Sequence, residues 1–415
     1  MLVKKRRHLF LILLFSIFFS ASAQTKLKAG VWRGVLTNSS RKELPFNFDV
    51  ENIAGHQQLT IINGAERFKV TDIKTRGDSV FIHMPLFNSE FRLKFSGDGL
   101  RGQWIKHLGK IDAAMEFAAE PNTGYRFFKA AKKPAFDVTG RWAVVFDAGT
   151  PQMEKLVGEF KQSGPKVTGT FLSISGDYRY LEGTVAGDQF YLSCFDGGHA
   201  YLFTAKISNT KTLSDGMYYA GLSGLDKWTA VKDANAKLPD AYSLVALKPG
   251  YKKIVFTFRD INGHKVSLSD SRFKNKVVIV QLLGSWCPNC MDETNFLVNN
   301  YYPKYHSKGV EVIGLAYERT ADFAKSQKTV RQMKDHFNIP YPLLITGFTP
   351  VKGDPEKSLP MLADFKGFPT AIIIDKKGIV RKIHTGFSGP GTGVYYTEFI
   401  NEFDKLTDEL LKERE

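Results

Sequence analysis

The sequence predicts a multi-domain chain: an N-terminal all-β region of two repeated antiparallel units, meander or barrel-like, and a C-terminal α/β domain. Three observations carry this. Residues 24–233 are rich in glycine and aromatics and run in short alternating stretches such as Ser79-Val80-Phe81-Ile82-His83-Met84, the period of half-buried strands. That pattern is duplicated. Gly30-Val31-Trp32 returns as Gly140-Arg141-Trp142, and Asp78-Ser79-Val80-Phe81-Ile82 as Asp188-Gln189-Phe190-Tyr191-Leu192, both 110 residues on, while Glu116-Phe117-Ala118 meets Lys227-Trp228-Thr229 at 111. Beyond residue 253, glycine-bounded apolar runs alternate with helical patterns, the order of an α/β domain.

The first element is a signal peptide over residues 1–23. Lys4-Lys5-Arg6-Arg7 precedes an apolar stretch from Leu9 to Phe19 and an exit at Ser20-Ala21-Ser22-Ala23. The apolar stretch is short of the ~20 residues that span a bilayer, so cleavage after Ala23 is expected rather than anchoring. No cysteine follows it, which argues against a lipoprotein. The chain is therefore expected to be exported to the periplasm or cell envelope.

The β units are assigned to residues 24–120 and 138–233, each opening on Gly-x-Trp and closing on an aromatic strand, with Asn-Gly, Gly-Asp and Asp-Gly turns between. Residues 121–137, containing Pro121 and Lys132-Lys133-Pro134, read as a linker, as do residues 234–252 with Pro239 and Pro249. Trp32, Trp104, Trp142 and Trp228 are expected in the cores of the units, and His83, His107 and His199 lack metal-ligand spacing. No site is assigned to either unit. Cys194, in an alternating stretch, reads as a buried apolar thiol.

Residues 253–415 contain the chemistry. The apolar run Val277–Leu283 leads into Trp286-Cys287-Pro288-Asn289-Cys290 at the start of a helix. The first cysteine falls where free backbone N–H groups and the helix dipole favour a thiolate, Pro288 suits the first helical turn, and Cys290 lies one turn on, within reach of a mixed disulfide on Cys287. Thiol-disulfide exchange is the leading reading. Half of a zinc site and a purely structural disulfide are the alternatives. Zinc needs four ligands and no second pair is present, whereas so short a disulfide loop removes little unfolded-state entropy. Helices over residues 290–307 and 320–337, strands at Gly309–Ala316, Tyr341–Ile345, Thr370–Asp375 and Gly378–Ile383, and a last helix burying Tyr396, Phe399, Phe403, Leu406 and Leu410 complete the domain.

With Phe256–Gly263, Gly284-Ser285-Trp286-Cys287-Pro288-Asn289-Cys290, Glu293 and Gly367-Phe368-Pro369-Thr370 in this order, residues 251–415 resemble the TlpA/ResA-like, AhpC/TSA-related thioredoxin-fold oxidoreductases of bacterial envelopes. The resemblance implies that Cys287 attacks, Cys290 resolves and Glu293 exchanges protons with Cys290. It also implies that Pro369 is a cis-proline facing the disulfide, with Phe368 and Trp286 where a substrate docks. Gln281 stands where classical thioredoxins keep a buried aspartate, and Pro288 supports the motif. Asn295 replaces the family's proline, so the helix is expected to lack its kink. Glu293 has a plainer reading too, as a solvated first-turn glutamate suited to the dipole. The resemblance further implies protein disulfide substrates, a membrane electron donor of the DsbD or CcdA type, apocytochromes as possible substrates, and no cofactor beyond the Cys287–Cys290 disulfide.

With 43% apolar residues the chain has core for several domains, and three cysteines give no disulfide framework. The net charge of +15 includes the four cations at residues 4–7 and is otherwise spread, without the basic, aromatic-laced runs of a nucleic-acid groove. A positive surface allows peripheral contact with anionic membranes. Two further functions stand beside the reductase: a thiol peroxidase using Cys287, which lacks the expected Thr-x-x-Cys turn, and a ligand-binding envelope protein whose redox domain is regulatory.

Overall fold

A computed structural model describes residues 26–109 and 111–414; the signal segment lies outside them. The chain is all-β in its N-terminal part and α/β in its C-terminal part. Among the described residues no helix is long and apolar enough to cross a membrane.

The first unit is a 9-stranded antiparallel sheet from Gly30–Thr37 to Asp112–Pro121, in which the first and last strands pair. Its two edges are Glu66–Val70 and Asp72–Arg76, consecutive in the chain, so the sheet curls into a barrel open at one seam. The second unit repeats the order from Gly140–Phe146 to Gly224–Lys232 and closes, because Glu154–Ser163 pairs with both Gly140–Phe146 and Lys166–Ser173. The duplication is visible in atomic detail. Gly30 and Gly140 have φ of +107° and +120°, values open to glycine and strained for other residues. Two residues on, each indole is fully buried and donates back to the fourth preceding carbonyl, Trp32 Nε1 to Lys28 O at 2.8 Å and Trp142 Nε1 to Val138 O at 2.9 Å.

The units share a core. Phe195 of the second stacks on Phe46 of the first at 4.4 Å, and the Asn63 side chain donates to Phe195 O at 2.8 Å and accepts from its N–H. Cys194 is buried and free, and burial pushes its thiol well above the ordinary range.

In the C-terminal domain Val277–Leu283 is buried at every position, as a central strand must be. It runs parallel to Val310–Ala316 and antiparallel to Thr370–Ile374 within a 7-stranded sheet. The helices Pro288–Phe296, Phe323–Phe337 and Val394–Lys412 pack on it, the last through Phe399, Phe403 and Leu410.

The stretch 234–252, read as a linker, carries a short ladder of its own: Ala246–Leu247 pairs with Leu362–Ala363, and Val245 enters the core of the α/β domain. The first helix is α-helical through Asn295 to Phe296, and its irregularity comes later. A π-helical turn at Leu297–Tyr301 precedes Pro303, which has no N–H to donate and whose ring crowds the carbonyl four residues back.

Candidate active site

The site is built where the central strand ends. Gly284 starts a turn closed by Cys287 N–H donating to Gly284 O at 3.0 Å. Ser285 is clamped by Glu318, whose carboxylate accepts from Ser285 N at 2.8 Å and Ser285 Oγ at 2.7 Å. The Trp286 indole donates to Tyr317 O at 2.9 Å. Cys287 then caps the helix with extended backbone, its Sγ accepting from Cys290 N–H at 3.2 Å, and Pro288 fills the first helical position. An N–H at a helix N-terminus pointed at sulfur favours negative charge there.

Cys287 and Cys290 form a disulfide with Cα atoms 5.2 Å apart. The loop before Thr370 comes to the same place: the Phe368–Pro369 peptide bond is cis, and Phe368 O lies 3.8 Å from Cys287 Sγ. Phe368 packs edge-on against Trp286 at 5.8 Å and in a tilted arrangement against Tyr317 at 5.3 Å. Cys287 is 4% exposed, whereas Trp286 is half-buried and faces a cavity.

Beneath the pair, Gln281 and Glu293 are both buried, and Gln281 Nε2 donates to Glu293 Oε2 at 2.8 Å and to Thr294 Oγ1 at 3.2 Å. Burial pushes the Glu293 carboxyl up to about 8, against the smaller opposing effect of the Gln281 hydrogen bond. Glu293 is no solvated surface residue. It sits one helical turn after Cys290, on the same side of the helix, and is protonated at neutral pH.

The structure thus gathers Cys287, Cys290, Glu293, Gln281, Trp286, Pro288, Phe368 and Pro369 around one disulfide. Sequence reasoning assigns the β units no site, and here the structure adds residues. The turn at Ser173–Arg179 of the second unit lies against the motif: Asn289 Nδ2 donates to Ser175 O at 3.4 Å, and Gly389 N–H donates to Asp177 Oδ2 at 2.7 Å. Gly176 has φ of +135°, and a Cβ there would stand 2.1 Å from Asn289 Nδ2, so only glycine permits the approach. Arg179, buried, reaches Asp292 and, at 3.4 Å, Pro288 O. No signal in the sequence joins Arg179 to Asp292, because nothing local links positions so far apart.

Residues 234–397 match the Redoxin family model. The chain is 32% identical over 129 residues to a thiol-disulfide oxidoreductase ResA of Bacillus cereus, covering 31% of this chain and 65% of that one. It is 28% identical over 131 residues to ResA of Geobacillus kaustophilus, covering 32% and 66%. The chain therefore spans just under two thirds of the length of these relatives. Among solved structures, the thioredoxin domain of a thiol-disulfide oxidoreductase from Bacteroides vulgatus aligns with 23% identity over 38% of this chain and 100% of that one, with a TM-score of 0.28.

Proposed function

We propose, from a C-terminal redoxin domain homologous to the ResA oxidoreductases, that this protein is an exported disulfide reductase acting on protein disulfides of the cell envelope. The carrying observation is Cys287 at the helix N-cap, its sulfur accepting the Cys290 N–H. In the reduced protein the Cys287 thiolate attacks a substrate disulfide, forming a mixed disulfide and expelling one substrate thiolate. Cys290 then attacks Cys287 Sγ, forming the intramolecular disulfide and releasing the second substrate thiolate. Two electrons pass from the dithiol to the substrate.

Glu293, protonated near neutral pH, supplies a proton to the Cys290 sulfur when the disulfide is opened and takes it back when Cys290 attacks. Trp286 and the Phe368–Pro369 segment form the face where substrate backbone docks. A membrane donor of the DsbD or CcdA type restores the dithiol, and apocytochromes are candidate substrates.

The test is the reduction potential of the Cys287/Cys290 pair, equilibrated in dithiothreitol redox buffers. A value toward the thioredoxin end, about −270 mV, supports a reductase; one near the DsbA end, about −120 mV, makes it an oxidant; failure to equilibrate sinks the exchange reading.

A further inference from the structure

We propose that the cleft between the first β unit and the redox domain, beside Trp286, docks an acidic side chain, aspartate or glutamate, flanking the disulfide of a polypeptide substrate. The proposal rests on the dithiol reading of Cys287 and Cys290 and adds the substrate's chemistry. The cleft is a cavity of about 340 Å³. Lys106 reaches it from the first β unit, and Arg319, Lys325 and Lys328 from the redox domain, while Phe87 and Trp286 add apolar wall.

Four cations converge on it, and among the described residues none of them forms an ion pair with a carboxylate. The two carboxylates in the wall are already engaged. Glu318 accepts from Ser285 and Thr329, and Asp112 is paired with His107 at 2.8 Å. Lys106 donates to Gly198 O and lies 3.5 Å from His199 Nε2. Its ammonium is held down to about 8, first by desolvation and then by the Arg319 charge, which outweigh the opposing effect of the Asp196 carboxylate. Like charges brought together at a partly buried place are relieved by an anion between them. Arg319 stands over the Trp286 ring at 5.0 Å, so the positive field adjoins the residue next to the attacking cysteine.

On the other flank the second β unit comes close: besides the Gly176–Asn289 approach, a Cβ on Gly367 would lie 3.4 Å from Ser175 Cβ, in ordinary van der Waals contact. The cationic cleft reaches Ser285 and Trp286, the two residues before Cys287.

The test uses the full chain, reduced beforehand, and two peptides with one intramolecular disulfide that differ only in carrying Asp/Glu or Asn/Gln beside the cysteines. At low salt the acidic peptide is expected to have about tenfold higher kcat/KM, shrinking toward parity in high salt and in an Arg319→Gln/Lys325→Gln/Lys328→Gln variant. A cysteine-free acidic peptide should bind the Cys287→Ser/Cys290→Ser chain saturably in calorimetry, and its neutral counterpart should not. Equal kcat/KM for both disulfide peptides, or a preference that salt and the triple variant leave unchanged, overturns the proposal while the redox reading stands. Saturable acidic-peptide binding with neither disulfide reduced overturns the redox reading and keeps the acid-binding cleft.

Discussion

Arg179 of the second β unit is paired with Asp292, two residues beyond Cys290, and the same guanidinium also holds Glu66 of the first unit. One side chain therefore ties both β units to the helix that presents the dithiol. Desolvation works against its charge, yet Asp292, Glu66 and Asp196 together hold it firmly protonated.

Removing that charge should be expensive. Arg179→Ala takes the guanidinium from the half-buried Asp292 and Glu66 and leaves the buried Asp196 with His199 alone, and is expected to cost about 3–5 kcal/mol of stability, read by urea denaturation. Arg179→Lys, which keeps the charge without the planar fork, should recover part of the loss. A cost below about 1 kcal/mol would show that the cluster does not join the units.

Glu293 sets a pH dependence with a definite sign. Its folded-state value, about 8, lies above the ordinary 4.5, so its stabilising contribution is complete below about 4.5 and is lost as pH rises toward and through 8. Glu293→Gln stays neutral throughout. The wild type should therefore lose stability relative to the variant across that window, by up to about 1.4 kcal/mol per pH unit, in thermal melts at matched ionic strength. Parallel curves would mean that Glu293 titrates normally.

The approach of the second unit to the motif can be probed at Gly176. Gly176→Ala meets both a disfavoured φ and Asn289, and should cost about 1–3 kcal/mol. It should also quicken alkylation of Cys287 in the reduced protein, because the Ser173–Arg179 turn must withdraw. Unchanged alkylation would place the turn away from the dithiol in solution.

Glu318 is expected to matter for the motif's geometry rather than its chemistry. Glu318→Ala strips acceptors from Ser285 N–H, Ser285 Oγ and Thr329 Oγ1. The cost should be about 1–3 kcal/mol for the buried donors left unpaired, with Glu318→Gln milder. Denaturation of both variants checks this, and an Ala variant as stable as wild type refutes it.

Much of this molecule was legible in the chain because it is locally written. The 110-residue offset exposed the duplication, since each unit repeats its own glycine and tryptophan to make the same turn. The strand, the motif and the helix were legible together: an all-apolar run, a proline at the first helical turn and two cysteines one turn apart are constraints between near neighbours. Burial was harder. The sequence left Glu293 between a solvated glutamate and a proton carrier, and only the packing of Gln281 and Thr294 around it removed the water.

What the chain did not reveal is everything that depends on how finished units pack. Closure of the second barrel but not the first, the Ser173–Arg179 turn against Asn289, Arg179 on Asp292, and Lys106 facing Arg319 all join residues remote in sequence. Periodicity and propensity act over one or two turns of chain, so they specify elements. Contacts between elements follow from the fit of whole surfaces and the pairing of buried charge, which no short stretch encodes.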